Sequence, residues 1–336
     1  MCNPLKGYYF NSVTSLSLLG VNYAKFIPHQ HALALWRGGV IITDMKDIKT
    51  WFADWITVVK GGGDLGTGAV YRLHRAGLRV LVTELPAPLV IRRRVALAAA
   101  IYQGAIEVQG MVGRRVEGDQ EITAAWQRGE VPIVADARAL VVSRLCPTVL
   151  VDAVMAKKNT GTRLDDAPIV VALGPGFVAG RDAHAVIETQ RGHNLGRALY
   201  QGTPAPDSGR PGSTQGVTSK RLLRAPAAGR FDTSCQIGDR VQAGQVVARV
   251  GGAPIRAAID GVVRGLLADG LHAEAGLKVG DVDPRGVVEH CFSISDKALA
   301  VGGGVLEAVL FLARQRHKYK AEPKINPPMA SSASSV

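Results

Sequence analysis

Long apolar runs, paired cysteines and aromatic side chains are what this chain lacks. No apolar stretch reaches the ~18 residues that a membrane-spanning helix needs, so no transmembrane helix and no membrane partner are expected. The four cysteines, Cys2, Cys146, Cys235 and Cys291, are scattered and form no C-x-x-C pair. That pattern argues against a disulfide framework and for a reducing compartment. The first residues do not show the basic, apolar, small-residue order of a signal peptide, and the expected location is the cytoplasm. Aromatics make up only 5% of the chain. The core must therefore come from Val, Leu, Ile and Ala, which suits a parallel sheet covered on both faces better than an aromatic-rich sandwich.

The 336 residues are enough for two domains, with room for a third. The formal net charge is +12. Part of it is a basic C-terminal stretch containing Arg314, Arg316, Lys318, Lys320 and Lys324. The excess serves solubility or attracts anionic ligands. Aromatic–basic interleaving, zinc-finger spacing and a recognition-helix motif are all missing, so nucleic acid is not an expected partner.

Residues 1–44 show no sustained hydrophobic period and are read as a disordered or spurious extension, with Met45 as the expected natural start and a short helix over 45–52. Residues 45–202 alternate strand and helix patterns: strand Ile56–Val59, helix Asp64–Ala76 closed by Gly77, strand Arg79–Glu84 and helix Val90–Ala100. Strands Val131–Ala135, Val149–Val154, Ile169–Leu173 and Ala185–Thr189 follow. The alternation predicts an α/β class, a Rossmann-like domain with a mostly parallel sheet. Residues 203–220, rich in Pro, Gly and Ser, read as a linker. A final helical segment occupies 284–316, with its helix from about Ser295 to Arg314, and 317–336 is an expected disordered tail. Inside that helix, Gly302-Gly303-Gly304 marks either a turn or a close-packing site, since each Gly costs ~1 kcal/mol relative to Ala.

Between linker and helix lies a repeat. Arg224-Ala225-Pro226-Ala227-Ala228-Gly229 recurs 32 residues later as Arg256-Ala257-Ala258-Ile259-Asp260-Gly261. Gly238 and Gly270, Gly244 and Gly276, and Val247 and Val279 keep the same offset. Glycines repeated at one lag mean the same turns used twice, in two halves that must interlock to bury a core. Residues 221–283 resemble the biotinyl/lipoyl carrier family, an all-β barrel-sandwich hybrid, through Gly238-Asp239-Arg240-Val241-Gln242-Ala243-Gly244-Gln245-Val246-Val247. That family carries its cofactor on a lysine in the turn between the halves. Here the turn is Val250-Gly251-Gly252-Ala253-Pro254, with no lysine from Val241 to Gly261. The module is accordingly expected to be structural or docking, without covalent biotin or lipoate.

Five motifs carry chemistry. Gly61-Gly62-Gly63-Asp64-Leu65-Gly66 reads as G-x-G-x-x-G between a strand and a helix. Its glycines suit a tight turn, backbone approach to a pyrophosphate and close helix packing. Glu84, 18 residues past Gly66 at the end of the next strand, stands where a ribose-binding acid is expected. No G-K-[ST] follows, which argues against a P-loop NTPase. Asp152–Arg163 contains Lys157, Lys158 and Arg163 after a buried strand, and reads either as an anion site or as a solvated basic loop. Leu173-Gly174-Pro175-Gly176-Phe177 and Glu188-Thr189-Gln190-Arg191-Gly192-His193-Asn194 place flexible or polar loops at strand ends, where open α/β sheets bind ligands. Cys291-Phe292-Ser293-Ile294-Ser295-Asp296-Lys297 sets a thiol near a helix start.

Cofactor-binding candidates are therefore Gly61, Gly62, Gly63, Asp64, Leu65, Gly66, Glu84, Lys157, Lys158, Gly174, Gly176 and Arg191. Lys157, His193 and Cys291 are catalytic candidates only in the sense that nothing else offers itself, and each also reads as solvated or simply buried; Asp182 and His184 are equally ambiguous. No metal site is expected.

The ordered set of Val59–Gly68, Thr83-Glu84, Val151–Lys157, Leu173–Phe177, Glu188–His193 and Ile294–Leu299 resembles the selenium-dependent molybdenum hydroxylase system accessory proteins of the YqeB type. The likeness runs from about Ile56 to Leu310 and is more distant to xanthine dehydrogenase accessory proteins. It implies a role beside a molybdenum hydroxylase partner, with a molybdopterin dinucleotide or a nucleotide such as NAD(P) as the bound cofactor. The alternatives are an NAD(P)-dependent small-molecule oxidoreductase and a non-catalytic adaptor that docks a hydroxylase subunit.

Overall fold

A valine-rich parallel sheet is the backbone of the architecture. The computed structural model describes residues 54–209 and 212–321, with side chains to 316, and a short ladder at 35–36 and 39–40. Residues Met1–Thr50 and Trp51–Val336 form two separate compact units. In the first, β1 (Leu35–Trp36) pairs antiparallel with β2 (Gly39–Val40), a ladder inside the span expected to carry none. The helix expected at 45–52 lies outside the described residues.

In the second unit, β3 (Ile56–Lys60), β4 (Arg79–Glu84), β5 (Ala105–Val108), β6 (Met111–Arg115), β7 (Val131–Ala135), β8 (Val149–Asp152), β9 (Ile169–Leu173), β10 (Ala185–Ile187) and β11 (Ala198–Leu199) form one nine-stranded sheet. Its order is β11-β10-β9-β8-β3-β4-β7-β6-β5. The six strands from β7 through β10 are parallel and follow the doubly wound dinucleotide-fold order, with β3 at the switch point between β4 and β8. Antiparallel pairing occurs only at the edges, β5 on β6 and β10 on β11. The α/β class with a mostly parallel sheet is as expected. Val58, Val59, Val80, Leu81, Val82, Leu150 and Val151 are fully or almost fully buried, as strands covered on both faces must be.

The elements differ from expectation in three places. Val90–Ala100 is not one helix but two 3-10 turns, Arg93–Val95 and Leu97–Ala99, leading into the short α2 (Ala100–Gln103). The segment is instead held by tertiary bonds: the Leu97 N–H donates to Thr67 Oγ1 and the Ala98 N–H to the Gly62 carbonyl. The β5–β6 hairpin, α3 (Asp119–Gln127) and α4 (Val141–Leu145) had no strong periodic signal. The last helix, α5 (Asp296–Ala321), continues past the expected helix end at about Arg314 into the segment from 317 expected to be disordered.

That last helix packs across α1 (Asp64–Arg75). Its Ala298, Val301, Val305 and Ala308, at helical three- and four-residue spacing, are fully buried. The glycine triplet is a packing site, not a turn. A Cβ on Gly302 would lie 2.2 Å from the Gly68 carbonyl oxygen, one on Gly68 2.3 Å from that of Ala298, and one on Gly304 2.0 Å from that of Gly196. Gly303 faces open space.

The repeat folds into two four-stranded sheets. Its strands are β12 (Leu222–Arg224), β13 (Gly229–Thr233), β14 (Arg240–Val241), β15 (Val246–Val250), β16 (Ala253–Arg256), β17 (Gly261–Leu266), β18 (His272–Ala273) and β19 (Lys278–Asp283). The sheet orders are β12-β19-β17-β14 and β16-β15-β13-β18. Exchanging the halves turns each order into the other, so each half contributes two strands to each sheet. The paired glycines share their backbone geometry: φ is +151° and +159° at Gly229 and Gly261, and +87° and +79° at Gly244 and Gly276. Between the halves, Gly251 and Gly252 both have positive φ and close the β15–β16 hairpin as a two-residue turn. The module is hydrogen-bonded to the sheet domain through Ile91–Arg93. The Leu266 N–H donates to the Ile91 carbonyl and Arg93 Nε to the Leu266 carbonyl, both at 2.8 Å.

Among the described residues no helix is long and apolar enough to cross a membrane.

Because the helix crossing requires backbone-to-backbone approach, Gly302→Val is expected to lower stability by roughly 3 kcal/mol. Gly303→Ala, one residue on, should raise it by about 1 kcal/mol through helix propensity. Urea denaturation of the two variants checks this; equal effects would mean that the crossing is loose.

Candidate functional site

The loop after β3 is shaped by three different glycine requirements. Gly61 has φ +92°, and a Cβ there would lie 2.9 Å from the Ala153 carbonyl oxygen. Gly66, in the first turn of α1, sits so close that a Cβ would be 2.1 Å from the Gly61 carbonyl oxygen. Gly63 differs: nothing lies within 4 Å of where its side chain would be. Its backbone is thus open to an incoming group, while the other two close the turn. Gly63 is the N-cap of α1 and no side chain caps the helix, so the first N–H groups are left without side-chain acceptors. These groups and the helix dipole favour a phosphate oxygen there.

Glu84 ends β4 beside this loop. Its carboxylate accepts the Gly62 N–H on Oε2 and the Leu85 N–H on Oε1, each at 2.8 Å. One lone pair per oxygen remains for a ribose hydroxyl. Around them lies a cavity of about 850 Å³. Gly61, Gly63, Glu84 and Met155 line it, with Leu85, Pro88, Leu89 and Val90 supplying an apolar side. The volume and this mixture suit a nucleotide-sized ligand. Lys60, also in the lining, is neutralised from behind: its Nζ lies 3.1 Å from Asp152 Oδ2, and Thr162 Oγ1 bonds both groups at 2.5 Å.

A second cavity of about 950 Å³ adjoins the first, and Asp64, Leu65, Leu89 and Met155 line both. Its walls come from the sheet domain and the β module together. Lys157, Pro175, Thr189, Gln190 and Arg191 reach it from the loops after β8, β9 and β10. Arg221, Arg264, Lys278 and Asp281 reach it from the β module, and Lys297 from α5. The Met155–Lys157 backbone is held in an unusual state, with φ +59° at Met155 and +62° at Lys157.

The sequence candidates divide accordingly. Gly61, Gly63, Asp64, Leu65, Gly66 and Glu84 line the first cavity, and Lys157 and Arg191 the second. Both of those cations are already engaged, Lys157 by Asp207 and Arg191 by Asp296, at 2.7 Å each. Arg191 thereby holds the Asp296 carboxyl well below the usual carboxylate range. Gly62, Lys158, Gly174 and Gly176 line neither cavity. Gly62 is braced against Ala98. Gly174 and Gly176 allow close loop contact instead: a Cβ on the first would lie 2.6 Å from Thr189 Oγ1, and one on the second 2.6 Å from the Lys158 backbone. His193 is exposed and lines neither cavity. Cys291 is 1% exposed, with its thiol 3.7 Å from the Val263 carbonyl oxygen, and burial pushes its pKa up. This environment suits a small buried apolar residue better than a reactive thiolate. His184 accepts the Val170 N–H on Nδ1 and Asp182 pairs with Arg181, both away from these two cavities.

Arg92, Arg264, Lys278 and Lys297 were not singled out from sequence. The repeat did contain a signal. At the 32-residue lag, Lys278 stands opposite Val246, Arg264 opposite Asp232 and Asp281 opposite Arg249. The halves lose their likeness at the positions that face the second cavity.

Over 267 residues, 80% of this chain, the sequence is 45% identical to the Escherichia coli K12 protein named "Uncharacterized protein YqeB". The match covers 49% of that protein, so the chain spans about half the length of this curated relative. No protein-family model matches. Among solved structures, TcdA (CsdL) is similar over 80% of this chain and 92% of its own, at 14% identity and a TM-score of 0.30. An aspartoacylase family protein from Mesorhizobium loti is similar over 68% and 84%, at 14% identity and a TM-score of 0.24.

The Lys60–Thr162–Asp152 cluster behind the first cavity is buried, with Asp152 only 1% exposed. Asp152→Asn removes the charge partner of Lys60 and should cost about 3 kcal/mol of stability. A loss below about 1 kcal/mol by urea denaturation would mean that water screens the pair, as at a surface.

Proposed function

We propose that the chain binds a dinucleotide-type, phosphate-bearing cofactor at the Gly61–Gly66 loop and serves as an accessory or maturation factor for a molybdenum hydroxylase. The observation that carries the binding part is the open space at Gly63, the one motif glycine that no neighbour fills, facing the cavity shared with Glu84. The residues fit such a group. Gly63 and the first turn of α1 hold phosphate, Glu84 takes ribose hydroxyls, and Leu85, Pro88 and Leu89 give a base an apolar surface. The carboxylate of Glu84 repels a 2′-phosphate, which favours NAD or a molybdopterin dinucleotide over NADP. The accessory role rests on the motif resemblance.

A second reading is an NAD-dependent oxidoreductase, favoured by the dinucleotide-fold strand order. It requires an acid or base beside the cofactor. His193 faces neither cavity and Lys157 is paired with Asp207, so the sequence candidates for that role do not support it.

Calorimetry and thermal shift with NAD, NADP, CTP and molybdopterin cytosine dinucleotide separate the readings. Saturable dinucleotide binding without turnover is the expected result. Hydride transfer to a substrate would favour the oxidoreductase. Gly63→Val fills the open space and should weaken binding at least a hundredfold; undiminished affinity in that variant would remove the loop from the site.

A further inference from the structure

The second cavity holds more positive charge than the cofactor loop requires, and the excess is specific. Seven cationic side chains line it. Five have carboxylate partners: Arg92 with Asp64, Arg221 with Asp281, Lys157 with Asp207, Arg191 with Asp296, and Arg264 with Asp283. The ammonium groups of Lys278 and Lys297 make no hydrogen bond and no ion pair among the described residues, although both side chains are half-buried. Burial, the largest influence on each, pulls both of their pKa values down. An ammonium group kept from water without a partner is unfavourable unless an anion meets it.

The guanidinium groups add a second observation. Arg92 is 6% exposed, and its Nε is buried without a hydrogen-bond partner, as are the Nε atoms of Arg221 and Arg264. Arg92 bridges the parts of the cleft, with Nη1 on Asp64 and Nη2 on the His290 and Ser293 carbonyls. Asp64 Oδ1 is also buried without a hydrogen-bond partner, and the Asp64 charge acts on Lys278 and Lys297 alike; Asp281 acts on Lys278 as well, and Glu188 and Asp296 on Lys297. The ligand must therefore compete with these four carboxylates for the two ammonium groups.

We propose that this cleft is a second anion site, in which Lys278 of the β module and Lys297 of α5, backed by Arg92 and Arg264, hold a phosphoryl group or another tetrahedral oxyanion bearing two negative charges. Two unmatched cations fit a dianion, and the clustered N–H donors suit its several oxygens. The β module is then one wall of a ligand site. This gives the lysine-free barrel a role that needs no covalent cofactor. The inference does not depend on what the glycine loop binds.

The test uses the full chain and inorganic phosphate, followed by thermal shift and calorimetry against chloride at matched ionic strength. Ribose 5-phosphate is the second arm. Phosphate should stabilise the protein saturably, and Lys278→Met/Lys297→Met should bind it at least tenfold more weakly. Without phosphate, the double variant should melt at or above the wild-type temperature, since it no longer buries two unpaired charges. Tighter binding of ribose 5-phosphate than of phosphate assigns the site to an organic ester, and equal binding to the free anion; both support it. Gly63→Val should leave the phosphate response intact, whereas its loss there would move the anion to the glycine loop and overturn the proposal. No response in the wild type, or unchanged affinity in the double variant, would overturn it as well. Should that variant not fold, Lys297→Met alone must still weaken phosphate binding, and Lys297→Arg must retain it.

Discussion

Backbone contact between α1 and α5 is the constraint on which the rest of this structure depends. Gly68 and Gly302 let the two helices approach until carbonyl oxygens fill the space of absent side chains, and Gly304 does the same against the loop at Gly196. The helix that begins at the Gly61–Gly66 loop is thereby clamped by the last helix of the described chain. The clamp also covers β9, β10 and β11. The connections after β8 and β9 are loops without helices, so α5 supplies cover that a crossover helix would otherwise give. Lys297, one turn before Val301, reaches the second cavity because α5 is held this near.

The two cavities divide the chemistry. The first has an open glycine, the carboxylates of Asp64, Glu84 and Asp136 and an apolar flank, and its Lys60 is paired from behind with Asp152. The second is built from fixed cations on elements distant in sequence, in excess over the carboxylates that face them. Shape and an apolar flank mark the first, and a surplus of positive charge the second. The strained backbone at Met155 and Lys157 lies in the wall between them, where local strain is most easily maintained by surrounding contacts.

Much of this was legible in the sequence, for identifiable reasons. The Gly61–Gly66 turn and Glu84 are set by local backbone geometry and by one strand length, both of which sequence spacing encodes. The two interlocked sheets follow from paired glycines, whose φ values agree at matched positions. Val90–Ala100 was misread because its apolar residues face tertiary partners, Thr67 and Gly62 among them, and not one helical stripe. The cationic cleft was not legible because Arg92, Arg264, Lys278 and Lys297 meet only after the β module docks on Ile91–Arg93 and α5 closes on α1. Only the broken symmetry of the repeat hinted at it. Gly174 and Gly176, glycines in a loop at a strand end, pack closely against Thr189 and the Lys158 backbone, a use that sequence spacing does not distinguish from ligand contact.

The position of α5 in the chain has a consequence for biosynthesis. Its apolar seam is made after the sheet, after the loops and after the whole β module. While the chain emerges from the ribosome, the face of the sheet beside α1 stays bare until residues beyond Val309 have been released. A nascent chain in that state exposes buried-strand surface and is a natural client for chaperones. The β module, which carries its own core of Phe231, Val247, Val263 and Val279, is complete earlier. Of the sheet domain and the β module, the one whose strands are made first is therefore the one closed last.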